Sequence, residues 1–252
     1  ITIGSVAVLA RLLTPADFGY VAMATVVTEF AALFANFGLN AMLVQRRRIT
    51  RLQADTVFWA SAGIGLSLAA LVWVLSWASR LWFADALVGD LLRWLALVFV
   101  LGGLNVVPGV ILSRLLLFKL EFWVNISTVV IRTGAAIGAA WWGLGVWGLV
   151  VGALVGAGAQ LLLSYAVAPY WPRLRFHAAY LLATWRTSSS YFGSGLLFYV
   201  NMNVDLLLIG RQLGATSLGY YQTARSLTDE IRARIAMPLQ QVLFPAFSSV
   251  QA

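Results

Sequence analysis

Charged residues are absent between Thr133 and Pro172, and this uncharged stretch constrains the fold more than any other feature of the sequence. A helix that crosses a bilayer needs about twenty mostly apolar residues, so the stretch is too long for one crossing. The Trp-Gly-Leu-Gly sequence at residues 142–145 is the natural break, because glycine interrupts helices and permits tight turns. We therefore predict two membrane-spanning helices here, near residues 124–142 and 146–168.

The composition extends this conclusion to the whole chain of 252 residues. Hydrophobic residues make up 61% of it and charged residues 10%, whereas an ordinary soluble domain is about 25% charged. The 11 tryptophans suit rings that lie at the level of the lipid headgroups. The predicted fold class is therefore an all-α polytopic membrane protein.

Apolar runs predict six further helices. The first run ends at Leu13, and the sequence Thr-Pro-Ala-Asp at residues 14–17 predicts a break. Asp17 is expected to be the N-cap of a second helix that runs from about Phe18 to about Val44. The others are predicted, in chain order, near residues 54–78, 91–112 and 187–210, and from about residue 218 onward.

Basic residues are unevenly divided between the loops on the two sides of these helices. The loops after the second, fourth and sixth helices carry nine of them, and the loops after the first, third, fifth and seventh carry four. The positive-inside rule places the first set of loops, and the N-terminus with them, in the cytoplasm. The net charge of +8 is then mostly a topological signal. We predict no nucleic-acid partner, because no continuous soluble basic face is available to follow a phosphate backbone.

Residues 9–30 recur in weakened form 200 positions later, at residues 209–230. A repeat of this length indicates two related helical bundles in one chain, which is typical of membrane transporters. The copies are six predicted helices apart, an even number, so both point the same way across the membrane. We therefore predict a parallel repeat about an axis along the membrane normal. The identities between the copies include Arg11 and Arg211, Gly19 and Gly219, and Tyr20 and Tyr220.

The repeat and the linker composition divide the chain into three parts. Residues 1–169 are predicted to form an N-terminal bundle of six helices whose first helix is incomplete, because Ile1 already lies inside an apolar run. Residues 170–186 alternate apolar with basic side chains, which predicts a linker with a short interfacial amphipathic helix. Residues 187–252 are predicted to be the first two helices of a second bundle. On this interpretation the chain is a fragment of a longer protein.

Ionisable side chains inside the predicted helices are the candidates for function, since a charge at the bilayer centre costs about 2.5–3.5 kcal/mol on insertion scales. Arginines could hold an anionic substrate in a water-filled cavity, because a guanidinium group binds phosphate oxygens through paired hydrogen bonds. The substrate-binding candidates are Arg132, Arg225, Arg232 and Asn201. The candidates for coupling to a proton or sodium gradient are Glu29, Asp205 and Asp229.

Internal pairing that holds helices together is the competing explanation for these charges, for example between Arg225 and Asp229, which lie one helical turn apart. Both explanations stay open for each candidate. The sequence contains no metal-ligand cluster and no dinucleotide-binding fingerprint, so we predict neither a cofactor nor an enzymatic activity. Close helix approach is predicted at two pairs of glycines spaced by four residues: Gly134 with Gly138, and Gly152 with Gly156.

Several motifs resemble those of bacterial polysaccharide exporters. Residues 10–19, Ala-Arg-Leu-Leu-Thr-Pro-Ala-Asp-Phe-Gly, are similar to the ARLLTPxDFG signature of that family. Further similarities lie at residues 38–39, 44–46, 145–150 and 205–214. Over essentially its whole length the chain resembles the Wzx/WzxC-like exporter-flippase family of the multidrug/oligosaccharidyl-lipid/polysaccharide (MOP) superfamily.

The resemblance implies a MOP-type fold of two helical bundles that rock to give alternating access. It further implies a multi-pass protein of the bacterial inner membrane, surrounded by membrane lipids. The implied substrate is an undecaprenyl-diphosphate-linked oligosaccharide, moved from the cytoplasmic to the periplasmic leaflet.

Three alternatives stay open. A drug/cation antiporter of the same superfamily should have a more acidic cavity. A membrane-embedded polysaccharide polymerase or ligase should carry a large periplasmic loop. A scaffold that transports nothing should have internally paired charges and no open cavity.

Overall fold

The computed structural model describes residues 3–35, 50–83, 85–114, 118–177, 193 and 195–229. Within these ranges the chain is helical apart from short turns and residues 168–177, and it contains no strand. Residues 195–229 are helical, and Gly214, with φ 78°, divides them into α8 (195–213) and α9 (215–229). The preceding helices are α1 (Ile3–Leu12), α2 (Pro15–Ala35), α3 (Arg51–Phe83), α4 (Ala86–Leu95), α5 (Leu97–Arg114), α6 (Phe118–Ala139) and α7 (Trp147–Val167).

Several of these helices are long and apolar enough to cross a membrane. The prediction of an all-α polytopic membrane protein is therefore confirmed for the described part of the chain. α4 and α5 act as one span, which begins before the predicted residue 91 because Asp85 caps α4 by accepting a hydrogen bond from the Leu87 N–H at 2.9 Å. Among the described residues the structure has five such spans: Pro15–Ala35, Arg51–Ser79, Ala86–Leu112, Lys119–Leu144 and Trp147–Val167.

The start of α2 corrects the prediction that Asp17 is its N-cap. The cap is Thr14, whose hydroxyl oxygen accepts a hydrogen bond from the Asp17 N–H at 3.3 Å, while the Asp17 carboxylate accepts one from the Thr14 N–H at 2.8 Å. This is a capping box, in which the acidic residue occupies the third helical position. Pro15 takes the first helical position, where its missing N–H would have had no partner in any case. The predicted end of this helix, near Val44, lies outside the described residues.

The predicted break between residues 142 and 145 is confirmed. α6 ends in a π-helical turn, Ala140–Leu144, and Gly143 and Gly145 take φ values of 81° and 54°. A side chain would clash with the backbone at such angles, so the sequence places glycine at both positions. The chain then reverses into α7.

α6 and α7 pack closely because small residues line the contact. A Cβ added at Gly152 would lie 2.7 Å from the Ala136 Cβ, and one added at Gly156 would lie 2.8 Å from the Arg132 Cβ. The prediction of close approach at this glycine pair is confirmed. The same prediction for the pair at residues 134 and 138 is wrong, because nothing described lies within 4 Å of a Cβ added at either. A step of two residues turns a helix by about 200°, so that pair faces away from α7.

The largest buried cluster joins α8 and α9 to the preceding helices. Leu91 and Leu92 of α4 are fully buried in it, and so is Leu218 of α9. Tyr199 of α8 donates a hydrogen bond to the carbonyl oxygen of Val26 in α2. Because lipid tails are as apolar as leucine, such a cluster is stabilised by close van der Waals contact between helices.

The stretch after α7 is held against the start of α3. Tyr170 donates a hydrogen bond to Asp55, whose carboxylate also accepts one from the Arg173 N–H at 3.2 Å. Burial and this hydrogen bond raise the pKa of Tyr170. Residues 169–177 are non-helical. The rest of the predicted linker, residues 178–186, lies outside the described residues, so its short amphipathic helix stays a prediction.

Candidate functional site

A cavity of about 590 Å³ lies between the first copy of the repeat and α9. Its wall is built from α1, α2, α4, α6, α7 and α9, and most of that wall is apolar. The volume falls within the range of about 300–1,000 Å³ that is usual for small-molecule sites. The polar residues that line it are Thr25, Glu29, Arg132, Thr133, Gln222, Thr223, Ser226 and Asp229.

Three of the predicted site residues meet at this cavity. Glu29 comes from the C-terminal half of α2, Arg132 from α6, and Asp229 from the end of the described part of α9. They belong to three helices that are far apart along the chain. The packing of α9 against the first copy of the repeat is what brings them to one wall.

Arg132 lines the cavity. The aliphatic part of its side chain packs over Gly156, where an added Cβ would lie 3.1 Å from the Arg132 Cδ. The side chain forms no ion pair with any carboxylate that the structure describes. Arg132 is an exposed residue, so its guanidinium is accessible to an anion that enters the cavity. Arg132 is therefore suited to hold an anionic group of a ligand.

Arg225 is not among the lining residues and is held in an ion pair. Its guanidinium is 3.1 Å from Asp205 Oδ2 on α8 and 3.6 Å from Asp229 Oδ2, one turn further along α9. It also donates a hydrogen bond to the carbonyl oxygen of Met202, and Tyr221 donates one to Asp205. The pair fastens α9 to α8, and Asp229 connects it to the cavity.

The other predicted residues stand apart from this wall. Asn201 is exposed on α8 and is not among the lining residues. Its neighbour Asn203 is buried and donates a hydrogen bond to the carbonyl oxygen of Tyr199 at 3.2 Å. Arg232 lies outside the described residues, so its role stays a prediction.

Sequence reasoning missed the neutral polar residues of the wall. Gln222, Ser226 and Asp229 share one face of α9 at spacings of four and three residues, and Thr25 precedes Glu29 by one turn of α2. This helical spacing of polar residues in apolar segments was the available signal. The hydroxyl groups of Thr25, Thr223 and Ser226 donate to carbonyl oxygens of their own helices. Their oxygens can still accept hydrogen bonds, so this face suits a ligand whose hydroxyl groups donate.

The charges of the described lining are one guanidinium and two carboxylates. The sequence predicts a basic cavity, because it assigns Arg225 and Arg232 to the same wall as Arg132. In the described part of the wall, pairing with Asp205 removes Arg225 from that set. The cavity thus offers an anion site at Arg132 and two carboxylates that could receive a proton or a cation.

The two copies of the repeat touch each other reciprocally. Gly19 packs so closely on the carbonyl oxygen of Ala215 that an added Cβ would overlap it, and Gly219 packs in the same way on the carbonyl oxygen of Pro15. Under the offset of 200 residues, position 15 corresponds to 215 and position 19 to 219. A two-fold axis between the copies produces this pattern, in which each copy gives the other the same two contacts. The contact is consistent with the predicted parallel repeat.

Known proteins similar to this chain are named for polysaccharide biosynthesis. The succinoglycan biosynthesis transport protein ExoT of Rhizobium meliloti is 30% identical over 98% of this chain and 50% of its own length. The lipopolysaccharide biosynthesis protein WzxC of Escherichia coli is 27% identical over 97% of this chain and 50% of its own length. The teichuronic acid biosynthesis protein TuaB of Bacillus subtilis is 27% identical over 88% of this chain and 46% of its own length.

The similarities cover most of this chain but only part of each relative. The chain spans about half the length of the curated relatives it matches. No solved structure matches it. The family model described as polysaccharide biosynthesis protein matches residues 8–252, nearly the whole chain. The resemblance to polysaccharide exporters is thereby confirmed, and the chain belongs to the polysaccharide biosynthesis protein family of the MOP superfamily.

Proposed function

We propose that the full-length protein is a flippase that moves undecaprenyl-diphosphate-linked oligosaccharide units across the bacterial inner membrane by alternating access. The observation that carries the proposal is the cavity between the two copies of the repeat. It joins a guanidinium that no described carboxylate neutralises to a wall of hydroxyl and amide groups. A lipid-linked sugar presents the matching chemistry, phosphate oxygens beside hydroxyl groups. The name of one relative, a transport protein of succinoglycan biosynthesis, supports the same function.

Arg132 is the proposed diphosphate ligand. Its planar guanidinium can donate two parallel hydrogen bonds to phosphate oxygens, which lysine cannot do. Arg225 and Asp205 are proposed to act without contacting the substrate. Their ion pair holds α8 against α9, which keeps Asp229 on the cavity wall. Arg232 and Asn201 are proposed as further substrate contacts in the whole protein.

Glu29 and Asp229 are the proposed sites of ion coupling. Both carboxylates line the cavity, where water and ions could reach them. Asp205 is less suited to carry a proton, because both of its oxygens accept hydrogen bonds from Arg225. The two lining carboxylates also favour a second candidate function, a drug/cation antiporter of the same superfamily.

The proposed orientation places the N-terminus in the cytoplasm, on the basis of the loop charges. The turns at Thr14, Gly143 and Gly214 then face the periplasm. These turns share one end of the molecule: Gly19 packs on Ala215, and a Cβ added at Gly145 would lie 3.9 Å from Asp17 Oδ1.

A flipping assay on the full-length protein in proteoliposomes tests the role of Arg132. Arg132→Ala should lower the rate about 10- to 100-fold, because a hydrogen bond to a charged group contributes about 1.5–3 kcal/mol and about 1.4 kcal/mol corresponds to a factor of ten. Arg132→Lys should give an intermediate rate, since lysine keeps the positive charge but cannot donate two parallel hydrogen bonds. The control is Arg175→Ala in the exposed linker, which should leave the rate unchanged.

Two outcomes would count against the proposal. A folded Arg132→Ala protein that flips the oligosaccharide at the parental rate would remove Arg132 from the substrate site. Export of a cationic drug, with no flipping of the lipid-linked oligosaccharide, would select the antiporter instead.

A further inference from the structure

The reciprocal glycine contact lies at one end of the cavity. Phe18, next to Gly19, lines the cavity wall. Glu29 lies on the same helix about 15 Å further along, given a rise of 1.5 Å per residue. The contact therefore stands between the charged part of the cavity and the end of the molecule that carries the turns at Thr14 and Gly214.

Backbone atoms make this contact on both sides. The Cα of Gly19 faces the carbonyl oxygen of Ala215, and the Cα of Gly219 faces that of Pro15. Contacts of the Cα–H···O type are individually weak. Separation of the copies is therefore opposed mainly by the apolar packing of Leu218 and by the Tyr199–Val26 hydrogen bond. A hydrogen atom is all that fits at either Cα while the copies touch.

The turns beside the contact are completed within each copy. Hydrogen bonds between Thr14 and Asp17 cap α2 from inside the first copy. The left-handed conformation of Gly214 makes the corresponding turn in the second copy. Neither turn takes a hydrogen bond from the other copy among those that the structure describes. The copies can therefore separate here without unwinding the start of α2 or α9.

We propose that Gly19 and Gly219 are positioning residues that form a gate at this end of the cavity, closed when the two backbones touch. The inference rests on the proposed transport function and deepens it, since alternating access requires this contact to break in one state and form in the other. A methyl group at either glycine holds the gate open. With the proposed orientation, the gate faces the periplasm.

A thiol in the cavity tests the gate without any substrate. The chain contains no cysteine, so Ser226→Cys on the cavity wall, in a full-length protein freed of other thiols, gives one reactive site. A membrane-impermeant maleimide added from the periplasmic side should label it slowly. After Gly19→Ala or Gly219→Ala the labelling rate should rise about fivefold or more. Gly138→Ala is the matched control, because its methyl enters open space, and it should leave the rate unchanged.

The double variant sharpens the test. Because one overlap already separates the backbones, Gly19→Ala with Gly219→Ala should label no faster than the faster single variant, a strong departure from additivity. Unchanged labelling in both folded single variants, or fully multiplied effects in the double variant, would overturn the gate.

A cross-link tests the gate with both glycines in place. Ala16→Cys and Thr216→Cys stand beside the contact on the two copies. Joining them with a short, cleavable bifunctional maleimide should abolish flipping and suppress periplasmic labelling of the cavity, and cleavage should restore both. Full flipping by the cross-linked protein would overturn the gate. Gate labelling as expected, in a parent protein that flips no lipid-linked oligosaccharide, would overturn the proposed function and leave the gate standing.

Discussion

The two copies of the repeat share their contact with each other and differ in how each is held together internally. Gly19 and Gly219 make the same backbone contact. Position 14 is a capping threonine in the first copy, and position 214 is a left-handed glycine in the second. The contact needs a residue without a Cβ at positions 19 and 219, whereas positions 15 and 215 supply only a backbone carbonyl oxygen and can differ. The hydrogen bonds and turns within a copy do not need glycine on both sides, and at these positions the two copies differ.

Position 25 and its counterpart 225 show one such difference between the copies. The Thr25 hydroxyl donates a hydrogen bond to the Ala22 carbonyl oxygen of its own helix at 3.0 Å, so it links nothing across helices. Arg225 reaches from α9 to Asp205 on α8. The second copy therefore has a polar connection between its two helices that the first copy lacks at the equivalent position.

Breaking that connection should have the largest effect on stability. Asp205→Ala leaves the Arg225 charge with Asp229 as its remaining partner, and we expect a loss of up to about 2.5–3.5 kcal/mol, the cost of a charge within the membrane. The measurement is the thermal unfolding of the purified full-length protein in detergent. Thr25→Ala is the matched control in the first copy and should change stability by less than about 0.5 kcal/mol.

A double variant separates pairing from simple loss of a side chain. Asp205→Ala with Arg225→Ala should be more stable than Asp205→Ala alone, because the Arg225 charge is removed together with Asp205 and only the more exposed Asp229 loses a partner. Asp205→Ala protein that is as stable as the parent would show that the ion pair does not hold α8 to α9.

The turn of the second copy should show a smaller effect. Gly214→Ala forces a residue with a Cβ into the left-handed region, which costs about 1–2 kcal/mol. Gly214→Asn should be milder, because asparagine visits that region more readily than other residues that carry a side chain. Equal unfolding temperatures for the parent and Gly214→Ala would mean that the turn does not require the observed φ of 78°.

The turn of the first copy should show the smallest effect of the three. Thr14→Ala removes the oxygen that accepts from the Asp17 N–H, and losing such a cap costs about 1 kcal/mol. Thr14→Ser keeps the oxygen and should restore nearly all of the stability. If serine and alanine destabilise the protein equally, the capping hydrogen bond is not the reason for threonine at this position.

Local chemistry made most of the helices predictable. The break at residues 142–145 follows from glycine, whose lack of a Cβ permits φ values of 81° and 54°. The break at residues 14–17 was also predictable, but the cap was assigned to Asp17 instead of Thr14, because both residue types serve as N-caps. The reciprocal hydrogen bonds of a capping box settle that choice, and they depend on the conformation of the turn.

The candidate site was only partly predictable. Glu29, Arg132 and Asp229 stand out in the sequence because charges are rare in membrane-spanning helices. Arg225 and Asp205 stand out for the same reason, yet they pair with each other. The charge and spacing of side chains are properties of a single helix. Whether a charged side chain forms an ion pair or lines the cavity depends on which helix packs opposite it.

The sequence by itself determined that this chain is a helical membrane protein, because hydropathy is read along one dimension, and loop charge and self-similarity predict a parallel internal repeat. The tertiary structure alone decided that Gly19 meets Ala215 while Gly219 meets Pro15. It also decided that Arg132 lines the cavity while Arg225 is neutralised. Those outcomes follow from how the two copies pack against each other, and packing between segments 200 residues apart leaves no signal in the local sequence of either one.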